Sequence, residues 1–255
     1  MDKLPYEIIN IIKGYVIFRP KTRIRLIEAV KLWCKNKDSA VIKYGHISNW
    51  DVSLITDMSR LFYGSYHFND SISNWNVSSV TNMAYMFNSA ASFNQPLNSW
   101  NVSNVKDMGR MFYEASSFNQ PLDRWVVSSV TDMRAMFKSA TSFSQPLNSW
   151  DVSLVENMQD MFYNAILFNQ PLNSWDVSNV KNMGCMFEGA ILFNQQLNLW
   201  DVSSVTKMNH MFEEALSFNQ SINSWDVSLV ENMTDIFNGI AHFDRENAMW
   251  FKFPK

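Results

Sequence analysis

Tryptophan recurs every 25 residues in this chain, at nine positions from Trp50 to Trp250. These tryptophans bound eight full units of equal length, with no insertion or deletion between them. A period this strict is typical of a solenoid, in which each unit forms one coil and buries its apolar side against the next. We number positions within a unit from its tryptophan, so that position +8 is the eighth residue after it.

Five apolar positions of the unit are almost invariant. Valine or isoleucine stands at +5, methionine at +8, and phenylalanine at +12 and +18 in all eight units, while +11 is methionine in six. Positions +8, +11 and +12 have the i, i+3, i+4 spacing of one helix face, which predicts about two turns of helix from +8 to +14. The segment from +20 to +2 of the next unit, for example residues 170–177, alternates as a short strand does.

These patterns predict an α/β solenoid of the leucine-rich-repeat-like type, formed by residues 50–249. Each of its eight coils would contain a short strand and a short helix. We expect residues 1–49 to form a helical N-terminal cap, because an open end would expose the phenylalanine and methionine columns. Residues 250–255 would form a C-terminal tail.

Two polar columns carry side-chain amides: asparagine at +19 and glutamine at +20, each in six of the eight units. An amide offers both donors and an acceptor. The two columns could line a binding surface, or they could form a ladder that satisfies the backbone of neighbouring turns. We favour the ladder, because buried backbone groups are nearly always hydrogen-bonded.

Position +1 is aspartate in five units and asparagine in two. A row of carboxylates on adjacent coils could bind a basic partner or a cation. The alternative, which we favour, is that each side chain accepts from the backbone near the following serine in an Asx-turn. The candidate partner-binding residues of this column are Asp151, Asp176, Asp201 and Asp226.

The consensus W-[DN]-V-S-x-V-x-x-M-x-x-M-F-x-x-A-x-x-F-N-Q-P-L resembles the BspA-like leucine-rich-repeat family with 25-residue units. The resemblance covers residues 50–249. That family is also known from mycoplasma surface lipoproteins, protists, algae and large DNA viruses. The resemblance implies a leucine-rich-repeat-like solenoid with a role in protein recognition or adhesion, and it does not imply an enzyme.

Residues 1–49 do not repeat. Pro5 suits the first turn of a helix whose apolar stripe runs to Val16. A second helix is predicted from Thr22 to about Lys35, and a third is predicted to be capped by Asp38 or Ser39. Gly45 would end the third helix after Tyr44.

The segment from Leu4 to Tyr15 also resembles the opening of an F-box. The residues that would then dock on a Skp1-like adaptor are Leu4, Pro5, Ile8 and Ile12. The chain would in that case hold a substrate for ubiquitin ligation on its repeats. A simple cap over the first coil is the alternative, and we favour it.

Charge and composition exclude several classes of function. Ten Lys/Arg and four Asp/Glu give residues 1–49 a net charge of +6, against −9 for the remainder. The basic residues are interspersed with apolar ones, as on solvated helix faces, so nucleic-acid binding is not expected. No signal peptide and no membrane-spanning run is recognisable. We therefore expect an intracellular (cytoplasmic) or virion protein.

No catalytic constellation stands out from the repeat. The two cysteines, Cys34 and Cys185, have no disulfide or metal-ligand spacing, and the four histidines lie in different parts of the chain. We expect no enzyme activity, small-molecule substrate, cofactor or metal.

The variable positions +9, +10, +13 and +14 are more informative about function than the invariant ones. Their residues shift from basic in early units to acidic in later ones. The sequence predicts a non-enzymatic scaffold that binds proteins through the solenoid surface. One alternative is a structural component of a larger assembly, such as a viral particle, in contact with other virion proteins. Another alternative is a cell-surface adhesion protein.

Overall fold

The computed structural model describes residues 17–253. Two α-helices precede the repeats, α1 (Arg23–Lys35) and α2 (Lys37–Tyr44). Single turns of 3-10 helix follow at Ile47–Asn49 and, near the other end, at Arg245–Ala248. The prediction of a helix from Thr22 to about Lys35 is confirmed. The predicted first helix, with the F-box-like residues Leu4, Pro5, Ile8 and Ile12, lies outside the described residues.

The cap of α2 differs from the prediction. Asn36, rather than Asp38 or Ser39, is the N-cap, and its side-chain oxygen accepts from the backbone amide of Ser39 at 2.9 Å. The two helices are joined by this single extended residue, so α2 begins earlier than expected. Gly45 has a φ of 74° and follows the last residue of α2, as the sequence predicts.

Each 25-residue unit forms one coil, and successive coils stack in parallel. The residues at +7 form parallel bridges from coil to coil, starting at Asp57 and ending at Asn232. The amides at +8, +10, +12 and +14 donate to the carbonyls at +7, +9, +11 and +13 of the next coil, over 2.7–3.1 Å. Phe137 N, for example, donates to Met161 O at 2.9 Å. The backbone of each coil is therefore satisfied largely by its neighbour.

The segment from +8 to +14 is not the predicted helix. It consists of consecutive turns, in which the amides at +11, +13 and +15 donate three residues back. Positions +10 and +14 have positive φ in every coil, as at Ala135 (52°) and Ser139 (57°). A left-handed residue at every fourth position prevents a right-handed helix. The i, i+3 spacing of the apolar residues fits these turns as well as a helix.

The strand predicted from +20 to +2 is also absent, since residues 17–253 contain isolated bridges at +7 and no longer strand. In that segment the residues at +23 and +24 belong to a turn, and the glutamine and proline before them have no regular secondary structure. The leucine-rich-repeat-like class of the stack stays a prediction.

The apolar columns fill the space between the turns. Phe137 stacks on Phe112 below it and Phe162 above it, with ring centroids 5.6 and 5.7 Å apart, and on Phe143 of its own coil at 4.0 Å. The tryptophans from Trp50 to Trp225 are buried in this core. The indole nitrogen of Trp150 donates to the carbonyl of Leu122, 28 residues earlier, over 3.0 Å. The column thus supplies both buried area and a backbone hydrogen bond.

The two ends of the stack are covered differently. At the N-terminal end, Phe18, Trp33 and Tyr44 contact the ring of Trp50 with centroids 5.2–6.0 Å apart. Side chains of α1 also reach the first coil: Arg23 donates to the Ser59 carbonyl at 2.5 Å, and the indole of Trp33 donates to Asp70 at 2.8 Å. At the C-terminal end, Phe251 and Phe253 fold against Phe237 at 5.3 and 5.6 Å.

Candidate functional site

The side chains at +10 and +13 of successive coils contact one another and form a continuous surface, which we call the +10/+13 stripe. Lys138 Nζ lies 2.8 Å from Asp160 of the next coil, and Asn238 donates to Glu213 of the previous coil at 2.6 Å. The stripe comprises Arg60, Tyr63, Tyr85, Asn88, Arg110, Tyr113, Ala135, Lys138, Asp160, Tyr163, Cys185, Glu188, His210, Glu213, Asp235 and Asn238. Its composition varies from coil to coil, unlike the core columns.

The early coils carry tyrosine and arginine on the stripe. The Arg60 guanidinium lies 4.6 Å from the centroid of the Tyr85 ring and 5.9 Å from that of Tyr63. Arg110 of the following coil lies 5.2 Å from the centroid of the same Tyr85 ring and donates to its hydroxyl. Tyr113 stands three residues further along the coil. We call Arg60, Tyr63, Tyr85, Arg110 and Tyr113 the tyrosine–arginine section; its cation–π contacts hold the rings and guanidinium groups in place.

A shallow groove of about 530 Å³ is lined by four residues of this section, Tyr63, Tyr85, Arg110 and Tyr113, and Arg60 lies outside its lining. Tyr63 and Tyr66 at its rim are 55% and 60% exposed. Its floor contains the buried polar residues Asn88 and Ser89, and the Ser89 hydroxyl donates to Glu114 at 2.8 Å. The groove therefore combines exposed aromatic surface with fixed polar groups.

In the middle of the stripe, Lys138 lies between the basic residues of the early coils and the acidic residues of the later coils. Its ammonium lies 3.8 Å from the centroid of the Tyr163 ring and forms the ion pair with Asp160. Partial burial, and then the carboxylate of Glu188, raise the pKa of Tyr163. Burial and Glu188 thus favour the neutral phenol of Tyr163, and the Lys138 ammonium opposes them.

The later coils are acidic on the stripe. The ligand atoms of Glu188, His210 and Glu213 all lie within 4.8 Å of one another, and His210 Nδ1 is 2.6 Å from a carboxylate oxygen of Glu213. We call these three residues the Glu–His–Glu cluster. Burial, followed by a hydrogen bond to Glu188 and its charge, raises the pKa of the neighbouring Cys185 thiol to about 12. This environment favours the protonated thiol of Cys185 over the nucleophilic thiolate.

The candidate aspartates of position +1 do not join the stripe. Each accepts from the amide of the serine two residues later, over 3.0–3.1 Å: Asp151, Asp176, Asp201 and Asp226. The Asx-turn interpretation of this column is thereby confirmed, and partner binding by these residues stays a prediction. Bonds to the serine hydroxyls, and then to the serine amides, lower the pKa of Asp151 and Asp201.

The amide columns at +19 and +20 form the ladder that we favoured. The side-chain oxygen of Asn94, for example, accepts both from the backbone amide of Asn119 and from the side chain of Gln120 in the next coil, each at 3.0 Å. The same arrangement recurs along the stack, as at Asn194 below Gln220. The asparagine oxygens and the glutamine side-chain nitrogens of this ladder are therefore engaged by neighbouring coils.

Sequence reasoning identified the variable columns but missed the groups that they form. Each group draws its members from two or three coils, so no local motif marks it. His210 and Glu213 are three residues apart, yet Glu188 belongs to the previous coil. Aligning the units in register and reading down the +10 and +13 columns would have revealed both groups.

These stacked coils with one variable stripe define a repeat protein. A family model described as Mycoplasma protein of unknown function, DUF285, matches residues 33–150 and 141–250. The chain belongs to this family, which is related to the BspA-like repeat proteins that the sequence resembles. The match begins at residue 33 and so does not include the F-box-like segment.

Comparisons with curated proteins and with solved structures found no match. Within residues 17–253, none of the helices has both the length and the apolar character needed to cross a membrane.

Proposed function

We propose that this chain is a non-enzymatic scaffold for protein recognition and that the +10/+13 stripe is its binding surface. The observation that supports the proposal is that different columns of the unit have different roles. The invariant Trp, Met and Phe columns are buried, and the Asn and Gln columns bond neighbouring coils. Tyrosine and arginine gather in a groove on the columns that vary. Tyrosine and arginine are the residue types most often responsible for the binding energy of protein interfaces.

The partner that best fits the tyrosine–arginine section is an acidic protein segment. Arg60 and Arg110 present guanidinium groups that can bind carboxylates in a bidentate manner. Tyr63 and Tyr113 supply contact area that loses little conformational entropy on binding, since each side chain has few rotatable bonds. The acidic residues of the later coils would repel an acidic partner. The partner would therefore lie along the early coils and not extend over the later ones.

The proposal can be tested by selecting displayed random peptides against the full chain. We expect the enriched peptides to be rich in Asp, Glu and aromatic residues. The double variant Arg60→Ala/Arg110→Ala should weaken their binding by about tenfold or more, which corresponds to about 1.4 kcal/mol. The matched control is Arg124→Ala, since Arg124 is exposed and lies outside the stripe.

Enriched peptides without acidic character, or peptides that bind the double variant as tightly as the wild type, would overturn the proposal. The unfolding midpoint of each variant should be measured alongside, so that loss of binding is distinguished from loss of fold.

The narrower roles stay predictions. An F-box-type adaptor role with a Skp1-like partner depends on Leu4, Pro5, Ile8 and Ile12, which lie outside the described residues. The family match does not test a structural role in a viral particle, adhesion at a cell surface, or an intracellular or virion location, because its description gives no function.

A further inference from the structure

The Glu–His–Glu cluster lies on two adjacent coils, with Glu188 at +13 of one and His210 and Glu213 at +10 and +13 of the next. We propose that these three side chains bind a divalent transition-metal ion of the Zn²⁺ class. This site is independent of the protein-recognition groove at the other end of the stripe.

The geometry requires only side-chain adjustment. The three ligand atoms lie within 4.8 Å of one another. Around a tetrahedral zinc with bonds of about 2.0–2.1 Å, ligand atoms are about 3.3 Å apart. The cluster can therefore surround an ion by side-chain movements of up to about 1.5 Å, in which His210 and Glu213 move apart from 2.6 Å and the wider pairs close, within the range of a rotamer adjustment. The backbone of both coils is fixed by the coil-to-coil hydrogen bonds at these positions, such as Cys185 N to Asn209 O at 2.8 Å.

The charges of the cluster favour a cation. The side chain of Glu213 is 20% exposed and that of His210 is 32% exposed, so both are partly removed from water. Within residues 17–253, neither Glu188 nor Glu213 forms an ion pair with a lysine or arginine. Two partly buried carboxylates close together repel each other, and a divalent ion would offset that repulsion.

A neighbouring group already orients one ligand. The side-chain amide of Asn238 donates to one oxygen of Glu213 at 2.6 Å, which leaves the other oxygen facing His210. Such outer hydrogen bonds fix the direction of metal ligands. One imidazole nitrogen with two carboxylates suits Zn²⁺, Co²⁺, Ni²⁺ or Mn²⁺ better than Ca²⁺ or Mg²⁺, which take oxygen ligands. Three protein ligands leave a fourth position for water.

The test is titration of the full chain with Co²⁺, followed by visible absorption, with Zn²⁺ added as a competitor. A Cys34→Ser background removes the exposed thiol as a possible ligand. We expect one equivalent of Co²⁺ to bind and Zn²⁺ to displace it. His210→Gln and Glu188→Gln should each weaken binding by about tenfold or more. His242→Gln is the matched control, because His242 is exposed and outside the cluster.

Two results would overturn the proposal: no saturable binding at metal concentrations up to about 1 mM, or binding that His210→Gln and Glu188→Gln leave unchanged. The second result would mean that the metal is held adventitiously elsewhere. Circular dichroism of each variant checks that the stack is folded, and a loss of binding in a folded variant supports the site. Peptide binding to the tyrosine–arginine section is measured separately, so that either proposal can fail alone.

Discussion

At the scale of single residues, the aspartates at position +1 make the stability of the fold depend on pH. Asp151 and Asp201 are exposed, and each holds the serine two residues later through both its hydroxyl and its amide, which lowers the pKa of the carboxyl. A carboxyl whose pKa is lower in the folded state than its ordinary value of 3.8 stabilises the fold above that pH. The stabilisation is lost as the pH falls through the folded-state pKa.

We therefore predict that the double variant Asp151→Asn/Asp201→Asn changes how the free energy of unfolding depends on pH more than it changes that free energy at pH 7. Asparagine accepts the same bonds, as Asn76 does from the Ser78 hydroxyl at 2.7 Å. The free energy of unfolding at pH 7 should be nearly unchanged, while its fall between about pH 4 and pH 3 should be shallower than in the wild type. Urea denaturation across that range measures both quantities.

The control is the double variant Ser153→Ala/Ser203→Ala, which removes the serine hydroxyls that donate to the two carboxylates. This variant should also show a shallower fall, because the two carboxyls return toward their ordinary pKa. An unchanged slope in both variants would contradict the role assigned to these aspartates.

At the scale of the coil, the backbone conformation at +14 limits which residues are tolerated. Gly189 has a φ of 66°, and a Cβ there would lie 1.9 Å from the side-chain oxygen of Asn164 in the previous coil. Gly109, at +9, does not have positive φ, and the equivalent position of the previous coil is Ala84.

We predict that Gly189→Ala lowers the free energy of unfolding by about 1–2 kcal/mol, the cost of a left-handed alanine together with displacement of Asn164. Gly109→Ala serves as the matched control, and we expect it to be neutral or stabilising by up to about 1 kcal/mol. Chemical denaturation of the two variants gives the comparison. Equal changes in the free energy of unfolding of the two variants would mean that the left-handed backbone at +14 does not favour glycine.

At the scale of the whole molecule, stability should depend on position in the stack, because each coil contacts only its neighbours. In the part of the chain that the structure describes, no further coil follows the eighth to accept its hydrogen bonds. Within residues 17–253, the amides of Met233, Asp235, Phe237 and Gly239 donate to no backbone carbonyl. The equivalent amides of the fourth coil, at Met133, Ala135, Phe137 and Ser139, all donate to the fifth.

We predict that amide hydrogen exchange at these four positions is faster in the last coil than in the fourth by about tenfold or more. Phe251 and Phe253 cover the rings of the last coil, but they do not replace the missing acceptors. Exchange measured by nuclear magnetic resonance on the full chain provides the comparison. Equal protection in both coils would show that the end is closed by contacts other than those described.

The sequence by itself determined the register, the core and much of the turn chemistry of this protein. A tryptophan every 25 residues, with invariant Met and Phe columns, leaves one way to bury the apolar side of every unit. The Asx-turns at +1 and the amide ladder at +19 and +20 were predictable because they depend on neighbours within a coil or one coil away. The residues of α1 were predictable because capping and apolar spacing agree.

Tertiary structure alone decided between helix and turns at +8 to +14, since the spacing of Met83, Met86 and Phe87 fits both. The deciding interaction is the row of backbone hydrogen bonds to the next coil, which requires left-handed residues at +10 and +14. Stacking also decided which variable side chains meet. Tyr85 and Arg110 are 25 residues apart, as are Glu188 and Glu213, and they become neighbours only because parallel coils place equal positions side by side.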